Sequence, residues 1–236
     1  MPPAAFIATA TPSTDSSSGF ALSTFITPSS VQPGDTLLVL TASANGDSID
    51  INALPAGWSR IGHFVSGSTL FGVCRREVTA TEPASHTLQW TSITATMFAV
   101  MIVYRGLDNT RALVAGGVAV VASSTSYPCP GGSTTSYSDV YIGVCFANAV
   151  AVTFTPPGGT RERFDASVTA FAANASIEIF ELTPEATTTL TARTSTASGS
   201  GSGLAGSIIV ATTPPTIAKP LPSSSKGAIG LTTIGV

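Results

Sequence analysis

The 236-residue chain is long enough to bury a sizeable core, yet only 10% of its residues are charged against 43% hydrophobic. A net charge of −3, with Lys219 and Lys226 the only lysines, leaves no basic stripe to neutralise phosphates and argues against nucleic-acid binding. The longest apolar run, residues 95–104, is too short for a membrane helix, and the N-terminus lacks the basic and apolar regions of a secretory signal, so we expect a protein made in a cytoplasm with no membrane partner.

Helical periodicity is nearly absent, and Thr, Val, Ile, Phe and Ala alternate instead. In chain order the predicted strands of the first half are 20–27, 36–42, 59–65, 69–78, 86–90 and 96–104. Those of the second half are 113–122, 140–146, 150–154, 161–171, 177–182, 187–193 and 204–212. Short strands between Gly, Pro, Asn and Asp turns predict an all-β, antiparallel β-sandwich. The Ser/Gly run 195–203 is expected to be a flexible loop tip between the last two strands.

Two stretches about a hundred residues apart follow one script. The first runs from Gly34-Asp35 through the apolar strand Leu37-Leu38-Val39-Leu40 to Pro55-Ala56-Gly57-Trp58-Ser59-Arg60. The second runs from Ser138-Asp139 through Val140-Tyr141-Ile142-Gly143-Val144 to Pro157-Gly158-Gly159-Thr160-Arg161. Pro33-Gly34 suits a type II turn, because proline fixes φ at one corner and glycine accepts positive φ at the next. Pro55-Ala56-Gly57 and Pro157-Gly158-Gly159 permit the same reversal. The repeat divides a sandwich domain, 1–212, into similar halves of about 17–108 and 109–212.

The segment 213–236 differs from everything before it. It opens on Pro214-Pro215 and ends in a weakly polar run, too poor in large apolar residues for a core and too apolar for a typical solvated tail. We expect an extended arm that packs on another surface, for instance by adding a strand to a neighbour, the alternative being that it folds back over its own domain, with Pro214, Pro215, Ile217, Leu221, Ile229, Leu231, Ile234 and Val236 as its anchoring residues.

Reactive chemistry is sparse. His63 and His86 lack a nucleophile or carboxylate signature and are expected on strand surfaces. The carboxylate pairs Glu178 with Glu181, and Glu162 with Asp165, are spaced by three, which puts the members of each pair on opposite faces of a strand and argues against glycoside hydrolysis. Asn45, Asp47, Asp50 and Asn52 lack the spacing of a calcium loop. No phosphate-cradling glycine motif occurs. Cys74, Cys129 and Cys145 lack metal-ligand spacing; Cys74 and Cys145 are expected in the core, and Cys129, between Pro128 and Pro130, is expected to be exposed and open to an intermolecular disulfide. No cofactor, metal or catalytic residue is expected. Trp58, beside its turn, is the candidate glycan contact, although Trp58 and Trp90 also suit core positions.

Val31-Gln32-Pro33-Gly34-Asp35-Thr36-Leu37-Leu38, Leu54-Pro55-Ala56-Gly57-Trp58, Ala80-Thr81-Glu82-Pro83-Ala84-Ser85-His86-Thr87-Leu88-Gln89-Trp90, Tyr104-Arg105-Gly106-Leu107-Asp108 and the Pro157-to-Arg163 segment together resemble all-β modules of tailed-phage virion proteins. The likeness covers about residues 30–212. It implies a jelly-roll-like sandwich used in minor tail proteins, fibres and head decorations, and it implies no catalytic residues. The resulting expectation is a non-enzymatic, multi-copy virion subunit on capsid or tail, assembled in the host cytoplasm. Its partners would be other virion proteins and copies of itself, with a host glycan as the alternative ligand.

Overall fold

A computed structural model describes residues 4–11, 13–15, 21–44, 51–90, 96–111, 113–136, 139–148, 151–170, 173–184 and 187–212. No helix occurs among them. The first half contains β1 (Ala5–Ala10), β2 (Ser13–Asp15), β3 (Ala21–Ile26), β4 (Thr36–Ala44), β5 (Ile51–Ala53), β6 (Trp58–Ser66), β7 (Thr69–Glu77), β8 (Ser85–Trp90) and β9 (Thr96–Arg105). The second contains β10 (Ala115–Cys129), β11 (Gly132–Ser133), β12 (Val140–Asn148), β13 (Phe154–Thr155), β14 (Arg161–Ala170), β15 (Ala173–Leu182), β16 (Thr189–Leu190) and β17 (Arg193–Val210). The arm 213–236, with all its expected anchoring residues, lies outside the described residues.

The large sheet of the first half has the order β1-β9-β4-β7-β6, and that of the second has β10-β17-β12-β15-β14. Substituting β10 for β1, β12 for β4, β14 and β15 for β6 and β7, and β17 for β9 turns one order into the other. The minor strands follow suit, since β3 pairs with β8 in the first half as β11 pairs with β16 in the second. In each half the chain alternates between a large and a small sheet, which is the winding of a jelly roll. The first half begins at β1, ahead of the expected start at 17, because β1 forms an edge of the first large sheet.

The two large sheets face each other, and the small sheets cover their outer faces. Leu38, Leu40, Phe71, Val100 and Ile102 of one half share a cluster with Ile142, Val144, Ile177, Leu204 and Ile208 of the other. Alternate residues point outward: Leu37, Val39, Met101 and Val103 pack with Phe25, Leu88 and Trp90 of the small sheet, and Tyr141, Cys145 and Ile209 pack with Tyr127, Cys129 and Leu190. β4 and β12 are therefore buried on both faces, which explains the apolar runs 37–40 and 140–147.

The repeated turns are conformationally alike. Asp35 N donates to Gln32 O at 3.0 Å, Trp58 N to Pro55 O at 3.1 Å and Thr160 N to Pro157 O at 3.2 Å. The glycine ahead of each donor has positive φ: 87° at Gly34, 84° at Gly57 and 79° at Gly159. That is the third corner of a type II turn.

The repeated acid is structural as well. Asp35 accepts from Gln32 N at 2.8 Å and from Arg105 Nε and Nη2 at 2.8 and 2.9 Å. Asp139 accepts from Thr135 N at 2.8 Å, Ser136 N at 2.9 Å and Arg111 Nη2 at 3.4 Å. Each carboxylate closes the turn that enters a central strand and ties it to an arginine, Arg105 at the end of β9 for Asp35 and Arg111 in the connection between the halves for Asp139. Asp139→Ala leaves three backbone donors, Thr135 N, Ser136 N and Thr212 N, without their acceptor and is expected to destabilise the fold by about 2 kcal/mol, read as a lower urea midpoint at constant slope. An unchanged midpoint would rule out this role.

The Ser/Gly run 195–203 is not a loop tip. It lies inside β17, which leaves the large sheet and continues into the outer layer paired with the second part of β10 and with β13. Small residues are required there: a Cβ on Gly203 would lie 1.8 Å from the backbone oxygen of Phe146. The composition that suggested flexibility permits close approach of the neighbouring β12 backbone instead.

Candidate functional site

Two open grooves follow the seam between the halves, and the internal repeat relates them. In one, of about 640 Å³, β6 and Arg75 of β7 face Leu113 and Gly116 from the start of the second half. In the other, of about 610 Å³, β14 and Glu181 of β15 face Ala4 to Phe6 from the start of the first half. Ser59 pairs with Arg75 across β6 and β7, just as Arg161 pairs with Glu181 across β14 and β15. Equivalent places thus carry different chemistry. Arg60, His63 and Arg75 line the first groove with no acidic residue, whereas Arg161, Arg163 and Glu181 line the second.

Part of each groove is already engaged. Arg75 Nη1 donates to Arg111 O at 3.2 Å, which ties β7 to the connection between the halves. In the second groove Arg163 pairs with Glu181, and its guanidinium carbon lies 4.5 Å from the centre of the Phe6 ring. Tyr104, from the first half, donates to Glu181 Oε2 at 2.5 Å. Burial, reinforced by the Glu181 charge, pushes the Tyr104 hydroxyl well above its usual range, so it stays a donor. This triad joins the two large sheets by a charge-assisted hydrogen bond.

Trp58 is 7% exposed and packs in the first outer cluster, where its Nε1 donates to His86 Nδ1 at 3.4 Å. Its ring offers no face for a sugar, because the repeated turn directs the side chain inward at the start of β6. Trp90 is likewise buried and donates to Ser23 Oγ at 3.0 Å. His86 is a core residue and not a surface one: Nε2 lies 2.9 Å from Glu82 Oε1, and Glu82 also receives Arg76 Nε at 2.7 Å. Burial lowers the His86 pKa against the opposing pull of Glu82. His63 is exposed, as expected for a strand surface.

Glu178 and Glu181 do occupy opposite faces, Glu178 toward the second outer layer and Glu181 toward the seam. What the sequence pattern missed is a cross-strand pairing of acids, Asp165 opposite Glu178. Residues thirteen apart meet only once the β14–β15 hairpin has its register, and that register includes a bulge between Glu162 and Phe164, which puts Glu162, opposite Phe180, on the same face as Asp165 and not on the opposite face expected from their spacing. Burial raises both pKa values, that of Glu178 to about 7. Neither residue lines a seam groove. Of the calcium set, Asn45, Asp47 and Asp50 lie outside the described residues, and no group of three or more His, Cys, Asp or Glu among the described residues could hold a metal ion.

No family model, curated protein or solved structure matches the chain. The buried ionisable groups Asp35, Asp139, Glu181 and His86 bind turns and layers together. The accessible groups are arginine, histidine and hydroxyl donors in shallow seams, which suit contact with a polar or anionic surface.

Proposed function

We propose that the chain is a non-enzymatic structural protein of a tailed-phage virion, a multi-copy accessory subunit on the capsid as a decoration or on the tail surface. The arm 213–236 anchors it, and its partners are capsid or tail subunits and copies of itself. The observation that carries this reading is the pair of jelly rolls sharing one core, in which the buried ionisable groups Asp35, Asp139, Glu181 and His86 serve as ties between turns and layers. Such a rigid block suits a scaffold role. Its outer strand face is dressed with short hydroxyl side chains, as at Thr194, Thr196 and Ser200 of β17. These lose little rotamer entropy when a neighbour covers them. The glycan alternative lacks its platform, since Trp58 is buried.

The test is made on purified particles. Full-length chain is expected in them in many copies, and a chain ending at residue 212 is expected to fold yet be missing from them. Retention of the shortened chain at full occupancy refutes the anchoring role, and absence of the full-length chain from particles refutes the virion assignment.

A further inference from the structure

Cys129 was expected at the surface, but both it and Cys145 are completely buried. Cys129 ends β10 after that strand has passed into the outer layer, where it pairs with Arg193 of β17. Cys145 lies mid-way along β12 in the large sheet beneath. Their sulfurs are 3.5 Å apart, in direct contact across the two layers. Cys129 Sγ also lies 3.6 Å from Val144 O, and Cys145 Sγ 3.9 Å from Tyr127 O, so each thiol has a backbone acceptor. Cys74 belongs to the core of the first half and has no cysteine beside it.

We infer that Cys129 and Cys145 form an intramolecular disulfide that staples the outer layer of the second half to its large sheet once the chain meets an oxidising medium. The inference does not depend on the virion reading. Closing the contact to the S–S bond length of about 2.05 Å needs the sulfurs to swing together about their side-chain torsions, with the two layers already in register. The reaction is balanced by an external disulfide such as oxidised glutathione. The thiolate of one cysteine attacks it, forming a mixed disulfide and releasing one reduced glutathione. The second cysteine then displaces the other glutathione, so two thiols are oxidised as one disulfide is reduced to two thiols. Burial holds the Cys145 thiol in its protonated form, so the closed layer protects the pair and exchange proceeds through opening of the outer strands.

The test uses the full chain, equilibrated in glutathione couples from reducing to oxidising, quenched with acid, alkylated in denaturant and digested with trypsin. The fragment 112–161 carries both Cys129 and Cys145, while 61–75 carries Cys74. In the oxidising couple, 112–161 is expected to be two hydrogens lighter and unalkylated, with 61–75 fully alkylated. Thermal unfolding is expected to move up by about 5–10 °C, a gain absent from Cys129→Ala. Two alkylated thiols in 112–161 at equilibrium, a bridge involving Cys74, or a disulfide-linked dimer would each overturn the inference. The mass readout on the unaltered chain needs no variant to fold.

Discussion

Phe71→Ala is expected to destabilise the protein by about 4 kcal/mol, within the range for truncating a fully buried phenylalanine. Phe71 is 0% exposed and lies at the centre of the core shared by the halves. Its ring crosses from β7 to Gly206 of β17, where an added Cβ would come within 2.7 Å of it. On its other side it stacks on Phe64, with centroids 5.9 Å apart. Truncation therefore removes contacts inside one half and across the seam together. Urea unfolding followed by near-ultraviolet circular dichroism should show one cooperative transition at a lower midpoint. A loss below about 1 kcal/mol would mean that the large sheets are not packed through this ring. The fit with Gly206 supplies a sharper check. Gly206→Ala alone is expected to cost about 1–3 kcal/mol by overpacking, and less when Phe71 has already been shortened. Additive costs would contradict the close approach of ring and backbone.

The seam explains which parts of the fold were legible in the sequence. The apolar runs of β4 and β12 and the turns at Gly34, Gly57 and Gly159 are local features, and each sits where its pattern placed it. The all-β class followed from the same features. The run 195–203 misled because glycine and serine serve loops and closely packed strands equally well, and only the neighbouring backbone of Phe146 distinguishes the two. Trp58 was ambiguous because a turn residue can face either way until the small sheet supplies His86 as its partner. Cys129 carried proline on both sides, a local signal for exposure. Its burial is set by β12, whose Cys145 lies sixteen residues on in a different layer. Asp165 and Glu178 meet only through hairpin register. The grooves were invisible for the same reason, since each is built by an edge of one half and the opening residues of the other.

Glu178→Gln is expected to raise stability by about 3 kcal/mol at pH 8 and to change it little at pH 4, with the chain kept reduced. Glu178 is fully buried in the second outer layer, 0% exposed. Burial is the main cause of its pKa near 7; Asp165 and Glu162 on β14 push it the same way, while Ser195 of β17 and Cys145 of β12 pull it down. The sign follows from which state holds the proton. Below about pH 4.5 the carboxyl is protonated in both the folded and unfolded chain, and the group adds no pH dependence. Between that value and about 7 the unfolded chain releases the proton while the folded chain keeps it, so stability falls as pH rises. Above about 7 the penalty reaches its full size, because the folded state must now bury a carboxylate facing two other acids. Glutamine keeps the volume and cannot ionise, so the curves of variant and parent should coincide in acid and separate through neutrality. Asp165→Asn removes one of the like charges, so it should lower the folded-state pKa of Glu178, making the separation smaller and complete at lower pH. A gap between parent and Glu178→Gln that is the same at pH 4 and pH 8 would show that the carboxyl is not held neutral by burial, and would place its effect in packing alone.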